Sequence, residues 1–206
     1  NSGLDTQYPP ETTAVTDEPF VTRRNGSVDW YTAKADGEPY QFFLNHSELI
    51  SGINYAQTFV NSSVDQRVNL KLGKGGIFQL FLNDVLIFES DKDRLTEMDA
   101  YTIAVNLKKG NNRLLVKNAS YSSFPYFMLR MEDEAGNSAK NVSVSLENKE
   151  YPKATLAQIN PEVLPNSFYS FFENRIAENT GDEDLNKFSL TMAYMRNSEY
   201  EKAQNT

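Results

Sequence analysis

Short runs of alternating apolar and polar residues dominate the middle of the chain. Val68, Leu70 and Leu72 alternate with polar neighbours, a period of two that is typical of a strand with one buried and one solvated face. Residues 77–82 are apolar at nearly every position, as expected of a central strand that is covered on both sides. A repeated series of such short strands predicts an antiparallel β-sandwich or barrel.

Turn residues separate these strands. Asn83 and Asp84 lie between two apolar runs and predict a hairpin, because both residue types tolerate positive φ. The sequence Lys-Lys-Gly-Asn at 108–111 predicts a second turn. The glycine-rich stretch 73–76 is expected to end the strand that precedes it.

Further strands are expected on both sides of this region. They are predicted at residues 20–24, 28–32, 40–44, 54–61, 85–88, 101–107, 113–117, 126–131 and 141–146. After Pro165 the apolar spacing changes to that of helices, which are predicted at 167–178 and 185–195, with Asp182 capping the second. The predicted organisation is an arm or linker (1–19), a β-sandwich (20–146), a linker (147–164) and a helical segment (165–206).

Several short motifs of the sandwich region carry a resemblance to a known family. They are found at 55–60, 65–68, 81–84, 107–111, 113–117, 127–130 and 133–136. Together they resemble galactose-binding-like jelly-roll modules over roughly residues 20–136. That family includes carbohydrate-binding modules, accessory domains of enzymes and modules without a known ligand. The chain departs from the family pattern at Asn83-Asp84, where many relatives have Asn-Gly.

The helical segment carries a second resemblance. The positions of Leu190, Tyr194, Tyr200 and Ala203 are similar to the first part of a tetratricopeptide repeat, with Ser198 where glycine is commoner. A single repeat cannot bury its own apolar face, so further repeats are expected in a longer parent protein. The combination resembles the front end of multidomain bacterial envelope proteins. It implies a secreted, periplasmic or cell-surface location and an excised or processed fragment.

Composition narrows the possible functions. The net charge is −8 and no basic cluster is present, which argues against binding to a phosphate backbone. There are no cysteines, so disulfides and thiolate metal sites are excluded. No apolar run approaches the ~20 residues of a membrane-spanning helix, so no membrane span is predicted. The single histidine, His46, lies in a polar stretch without a nucleophile motif, and no enzyme activity is expected.

The charged stretch 89–99 raises the question of a metal site. Asp91, Asp93 and Glu97 offer the carboxylate oxygens that Ca²⁺ prefers. Lys92 and Arg94 offset their charge, and the spacing does not fit an EF-hand loop. A solvated charged loop is therefore the favoured interpretation, with no cofactor.

Aromatic residues near predicted strand ends are the candidates for binding carbohydrate, because exposed rings stack on the apolar faces of sugars. Tyr121 and Phe124 lie beside Asn118 in a predicted loop, and Tyr121 is the first choice. Trp30 and Tyr31 are neighbours in a predicted strand and face opposite ways, so one of them points outward. Asp99 is a further polar candidate, Trp30 is expected in the core, and packing in the core or at an edge is the alternative for each ring.

Two functional hypotheses follow from these patterns. The first is a non-catalytic module that binds carbohydrate through the loop ends of the sandwich. The alternative is a structural spacer or a module that docks a protein partner through its helical segment. A large exposed apolar face at Phe168, Phe171 and Phe172 would point to a missing repeat or a protein partner.

Overall fold

The fold of the protein is an antiparallel β-sandwich followed by helices, which confirms the predicted fold class. The computed structural model describes residues 4–13, 18–21, 26–32, 40–43, 52–121 and 123–206. In chain order the elements are α1 (Pro9–Thr12), β1 (Phe20–Val21), β2 (Ser27–Val28), β3 (Gln41–Phe42), β4 (Gly52–Ser62), β5 (Gln66–Gly75), β6 (Ile77–Leu82), β7 (Val85–Ser90), β8 (Tyr101–Leu107), β9 (Gly110–Ser120), β10 (Tyr126–Glu132), β11 (Val142–Ser145), α2 (Leu156–Ile159), β12 (Glu162–Leu164), α3 (Ser167–Ala177), α4 (Glu183–Arg196) and α5 (Tyr200–Gln204).

Two five-stranded sheets form the sandwich. The first sheet has the order β12-β8-β5-β10-β3 and the second the order β11-β4-β9-β6-β7, while β1 and β2 pair separately. The described strand pairs are antiparallel. The core between the sheets contains the alternating residues that the sequence pattern selects, among them Val68, Leu70 and Leu72 from β5 and Phe78 and Leu80 from β6.

The turn between β6 and β7 has the geometry that its residues favour. Asn83 and Asp84 both adopt positive φ, at 50° and 68°, which is the requirement of a two-residue turn of type I′. The Asn83 side chain is buried, and its Oδ1 accepts a hydrogen bond from the Arg113 backbone N–H at 2.8 Å. Asp84 uses its carboxylate to accept from the Arg113 guanidinium at 3.1 Å. A glycine in place of Asp84 would lack this contact.

The prediction that the glycine-rich stretch 73–76 ends this strand is confirmed, because β5 ends at Gly75. These glycines also allow other parts of the backbone to approach the outer face of the first sheet. A Cβ atom at Gly73 would lie 2.5 Å from the carbonyl oxygen of Glu97. Gly76, at φ +83°, then forms the crossing from the first sheet to the second.

Substituting Gly73 tests this close approach. We expect Gly73→Ala to lower the free energy of unfolding by about 1–3 kcal/mol, the usual cost of overpacking. The loop cannot easily retreat, because the Asn197 side chain holds the Glu97 N–H at 2.8 Å. Asn69→Ala is the matched control, because Asn69 lies on the same face of β5 and is only half-buried. Equal stability of the two variants in urea titrations would contradict the close contact.

The C-terminal elements refine the predicted organisation. Both long helices are confirmed, and Asp182 caps α4 by accepting from the Leu185 N–H at 3.0 Å. Residues 147–164, predicted as a linker, contribute α2 and the edge strand β12, which pairs with β8. Residues 4–13, within the N-terminal segment 1–19, lie against the second sheet, and Leu4 is buried there with Ile77 and Ala119.

Candidate binding surfaces

The loop after β9 carries the two aromatic rings that the sequence singled out. Tyr121 is 63% exposed and Phe124 is 58% exposed. Asp93 fixes this loop, because its carboxylate accepts from the Tyr121 backbone N–H at 2.8 Å and from the Ser123 hydroxyl. The two rings therefore stand in solvent on a loop whose backbone is anchored.

Asn118, proposed beside these rings, is fully buried. Its side-chain amide donates to the carbonyl oxygen of Gly75 at 2.7 Å and to that of Ile77 at 3.3 Å. This side chain therefore stabilises the crossing between the sheets and does not face the exposed loop. Polar character alone suggested a surface position, but β9 continues to Ser120 and places Asn118 inside the sandwich.

The other candidates lie in separate surroundings. Trp30, expected in the core, is half-buried and packs edge-on against Phe20, with 6.2 Å between ring centroids. It is not a member of the described sandwich core, whereas its neighbour Tyr31 is largely exposed. Asp99 accepts from the Arg130 Nε at 3.0 Å with each carboxylate oxygen. That hydrogen bond is the main cause that raises the pKa of Arg130, so Asp99 has an established structural partner.

The three carboxylates considered for Ca²⁺ do not form a common site. Asp93 holds the loop of Tyr121, and Glu97 pairs with Arg196 at 3.5 Å. The described residues include no group of three or more His, Cys, Asp or Glu side chains that could hold a metal ion. His46 lies outside the described residues.

The charged loop 91–99 instead joins the sandwich to the helices. Arg94 pairs with Glu199 at 2.7 Å, and Asn197 accepts from the Glu97 N–H at 2.8 Å. Ser198, at the turn before α5, donates to the carbonyl oxygen of Leu95 at 3.0 Å. Charge in a loop does not reveal which element covers it, so this role could not be predicted from the sequence. These contacts fix the C-terminal end of α4 on the sandwich.

Helix α4 presents an apolar stripe to solvent. Leu185, Phe188, Met192 and Met195 are spaced at i, i+3, i+7 and i+10, and they are 60%, 63%, 38% and 48% exposed. We call these four residues the α4 seam. Their spacing places them on one side of the helix, as the a and d positions of two heptads.

The opposite side of α4 is occupied by α3. Tyr194 packs edge-on against Tyr169 at 4.7 Å between ring centroids and donates to Glu173 at 2.6 Å. Leu190 is buried on this side as well. Phe168 and Phe171 of α3 are about half exposed, so apolar surface is also present on the other helix of the pair.

No family model, curated protein or solved structure matches this chain. Of the helices in the described part of the chain, none is long and apolar enough to cross a membrane.

Proposed function

We propose that the chain is a non-catalytic binding module that docks an amphipathic helix of a protein partner on the α4 seam. The observation that carries this proposal is the exposure of Leu185, Phe188, Met192 and Met195 at heptad spacing. Exposed apolar patches are unusual on monomeric proteins and mark sites of interaction. A stripe with an average spacing of 3.5 residues fits a second helix that crosses at a shallow angle.

The surroundings of α4 favour a prepared docking surface. Asp182 caps its first turn, and Asn197 and Glu199 connect its last turn to the sandwich. A helix that is already ordered loses little conformational entropy on binding, so more of the contact energy contributes to affinity. The sandwich would then be the support that holds the seam in place.

The tetratricopeptide-like spacing of Leu190 and Tyr194 agrees with this proposal. In such an array the first helix of a following repeat is itself an amphipathic helix that packs on its neighbour. Ser198 has a positive φ of 56°, the conformation for which glycine is preferred at the turn between paired helices. A helix supplied by the same protein or by another would meet the same seam.

A designed helical peptide tests the seam directly. The probe is a fluorescent peptide of three heptads with leucine at a and d, and its binding is measured by anisotropy. We expect Phe188→Ser to weaken binding at least about tenfold, because an aromatic anchor at the centre of an interface dominates its energy. Phe171→Ser on α3 is the matched control, with similar exposure outside the seam. Absence of binding to the wild-type chain, or equal loss in both variants, would exclude the seam as a helix-docking surface.

A second candidate function is carbohydrate binding at the loop after β9, in a module of a secreted or envelope protein. It is favoured by the exposure of Tyr121 and Phe124 on a loop that Asp93 anchors. Exposed rings on a fixed backbone suit stacking against the apolar faces of sugars.

A glycan-array screen with and without Ca²⁺ tests this second function. On any glycan that binds, we expect Tyr121→Ala to lower the affinity at least about tenfold, because the ring supplies most of the contact area. Tyr31→Ala is the control, since Tyr31 is exposed to a similar degree on another part of the chain. A blank array with folded protein, or a bound glycan unaffected by Tyr121→Ala, would remove the loop from consideration.

A further inference from the structure

The outer face of the second sheet contains two buried cations. Lys117 and Arg113 project from β9 on the side away from the sandwich core, and their side chains are 0% and 3% exposed. Burial of a charge is costly unless it is paired and hydrogen-bonded, so the partners of these groups must explain their position. Tyr55 on β4 and Gln79 on β6 lie directly opposite Lys117 in the sheet.

Residues 4–12 supply most of the partners of Lys117. Its Nζ donates to the carbonyl oxygens of Leu4 at 2.7 Å and Thr6 at 2.8 Å, and it pairs with the Glu11 carboxylate at 2.9 Å. Glu11 is itself almost buried, and it also accepts from the hydroxyl of Tyr55. We call residues 4–12 the arm.

The arm is also held at two further points. Arg113 donates from Nη2 to the carbonyl oxygen of Pro10 at 2.9 Å, while its other contacts are with Gln57, Asp84 and Tyr151. Leu4 fills an apolar pocket formed by Ile77 and Ala119 at the opposite end. The sheet therefore recognises three features of a peptide: an apolar side chain, carbonyl oxygens along its backbone, and a carboxylate.

This face has the properties of a peptide-binding groove. Backbone carbonyl oxygens are common to any peptide, and the leucine and the carboxylate, seven positions apart, provide selectivity. The arm is acidic, with Asp5 and Glu11 and no basic residue. In the groove Arg113 is paired with Asp84, whereas the charged partner of Lys117 is Glu11 of the arm. The occupant of the groove in the structure is a segment of the same chain.

We propose that this groove accepts the arm of a second copy of the chain in exchange for its own, which links two copies through their N-terminal arms. A second copy carries the same leucine, carbonyl oxygens and carboxylate, so every contact of the arm is reproduced between chains. Exchange of an identical segment forms a closed dimer without any new surface. The covalently attached arm has a high effective concentration, so the monomer predominates in dilute solution.

The groove is tested first on the full chain with a weakened arm. Leu4→Ser combined with Glu11→Gln removes the apolar and charged anchors of the arm and leaves the groove intact. The probe is a fluorescent peptide with the sequence of residues 1–13. We expect it to bind this variant at least about tenfold more tightly than it binds the wild-type chain, where the attached arm competes. A peptide with Glu11→Gln and a peptide of scrambled sequence are the controls. Equal binding of the scrambled peptide, or no binding to a folded variant, overturns the assignment of this face as a peptide-binding groove.

The exchange is tested by measuring the molar mass of the full chain in solution at rising protein concentration. We expect a dimer fraction that increases up to about millimolar protein. It should fall at least about tenfold when Leu4→Ser and Glu11→Gln are combined, because an arm that is released from the groove maintains neither the closed monomer nor the exchanged dimer. Phe188→Ser should retain this dimer, which separates arm exchange from association through the α4 seam. A wild-type chain that remains monomeric, or a dimer that Phe188→Ser abolishes, overturns the proposal. Failure of the seam as a docking surface would leave the arm exchange unaffected.

Discussion

Phe78→Ala is expected to lower the free energy of unfolding by about 3–5 kcal/mol, the usual cost of truncating a fully buried phenylalanine. Phe78 lies on β6 with no exposed surface and belongs to the core between the sheets. Its ring centroid is 6.3 Å from that of Phe127 on the opposite sheet. Removing the ring leaves a cavity that strands on both sides cannot readily fill, because their backbones are fixed by hydrogen bonds.

Phe81→Ala provides the comparison within the same strand. Phe81 is three residues along β6, on the outer face, and is only partly buried. We expect this variant to lose about 1 kcal/mol, the typical effect of a substitution outside the core. Chemical denaturation measures both variants. Similar losses would mean that Phe78 and Phe81 are buried to the same extent, contrary to the burial that the structure gives these two positions.

The alternation of residue types predicts which side chains share a face of a strand. That information alone identifies the residues of the sandwich core. Val68, Leu70 and Leu72 are all buried, and β6 is an interior strand of its sheet, between β9 and β7, with five of its six residues buried. Local signals also identified the turn at Asn83 and the cap at Asp182. These features depend on neighbouring residues, so a single sequence contains the necessary information.

The same alternation does not predict what covers the opposite face. Lys117 and Arg113 stand at polar positions of β9, a pattern that by itself is typical of a solvated face. Both are buried because the arm, over 100 residues away in sequence, lies across them. Nothing local to β9 encodes that contact. Gly73 of β5 is a comparable case, because it accommodates the loop at Glu97, a contact that nothing local to β5 encodes.

The candidate sites also separate into features that neighbouring residues determine and features that depend on distant parts of the chain. Exposure of Tyr121 and Phe124 agrees with their position in a loop, whereas Asn118 is internal because β9 is longer than its sequence pattern suggested. The α4 seam was not identified from sequence, because an apolar helix face normally indicates the side that packs on the core. In α4 the buried side is instead marked by Leu190 and Tyr194.

Lys74 is expected to make stability depend on pH between about 7 and 10. Its side chain lies fully buried on β5, and its Nζ donates to the carbonyl oxygens of Gly76 at 2.6 Å and Lys92 at 2.7 Å. Burial, followed by the positive charge of Arg94, lowers the pKa of Lys74 from 10.5 to about 7. The neighbouring carboxylates of Asp93 and Asp91 act in the opposite direction but do not cancel these effects.

The direction of the pH effect follows from proton binding. Below pH 7 the lysine is protonated in both the folded and the unfolded chain, so this group adds no pH dependence. Between the folded pKa near 7 and the unfolded pKa of 10.5, the unfolded chain binds more protons. The free energy of unfolding therefore rises with pH in this window, by at most about 1.4 kcal/mol per pH unit. The gain from this group disappears again as the pH falls towards 7.

Comparison with Lys74→Met isolates this contribution. We expect the stability of the wild-type chain relative to that of Lys74→Met to increase by about 1 kcal/mol per pH unit between pH 7.5 and 9.5. Lys71→Met is the matched control, because it removes one positive charge from the same strand at a position that is only half-buried. Urea titrations at five pH values measure all three proteins. If the wild-type and Lys74→Met profiles stay parallel, Lys74 keeps its proton throughout this window, and its two carbonyl partners stabilise the ammonium group more than burial destabilises it.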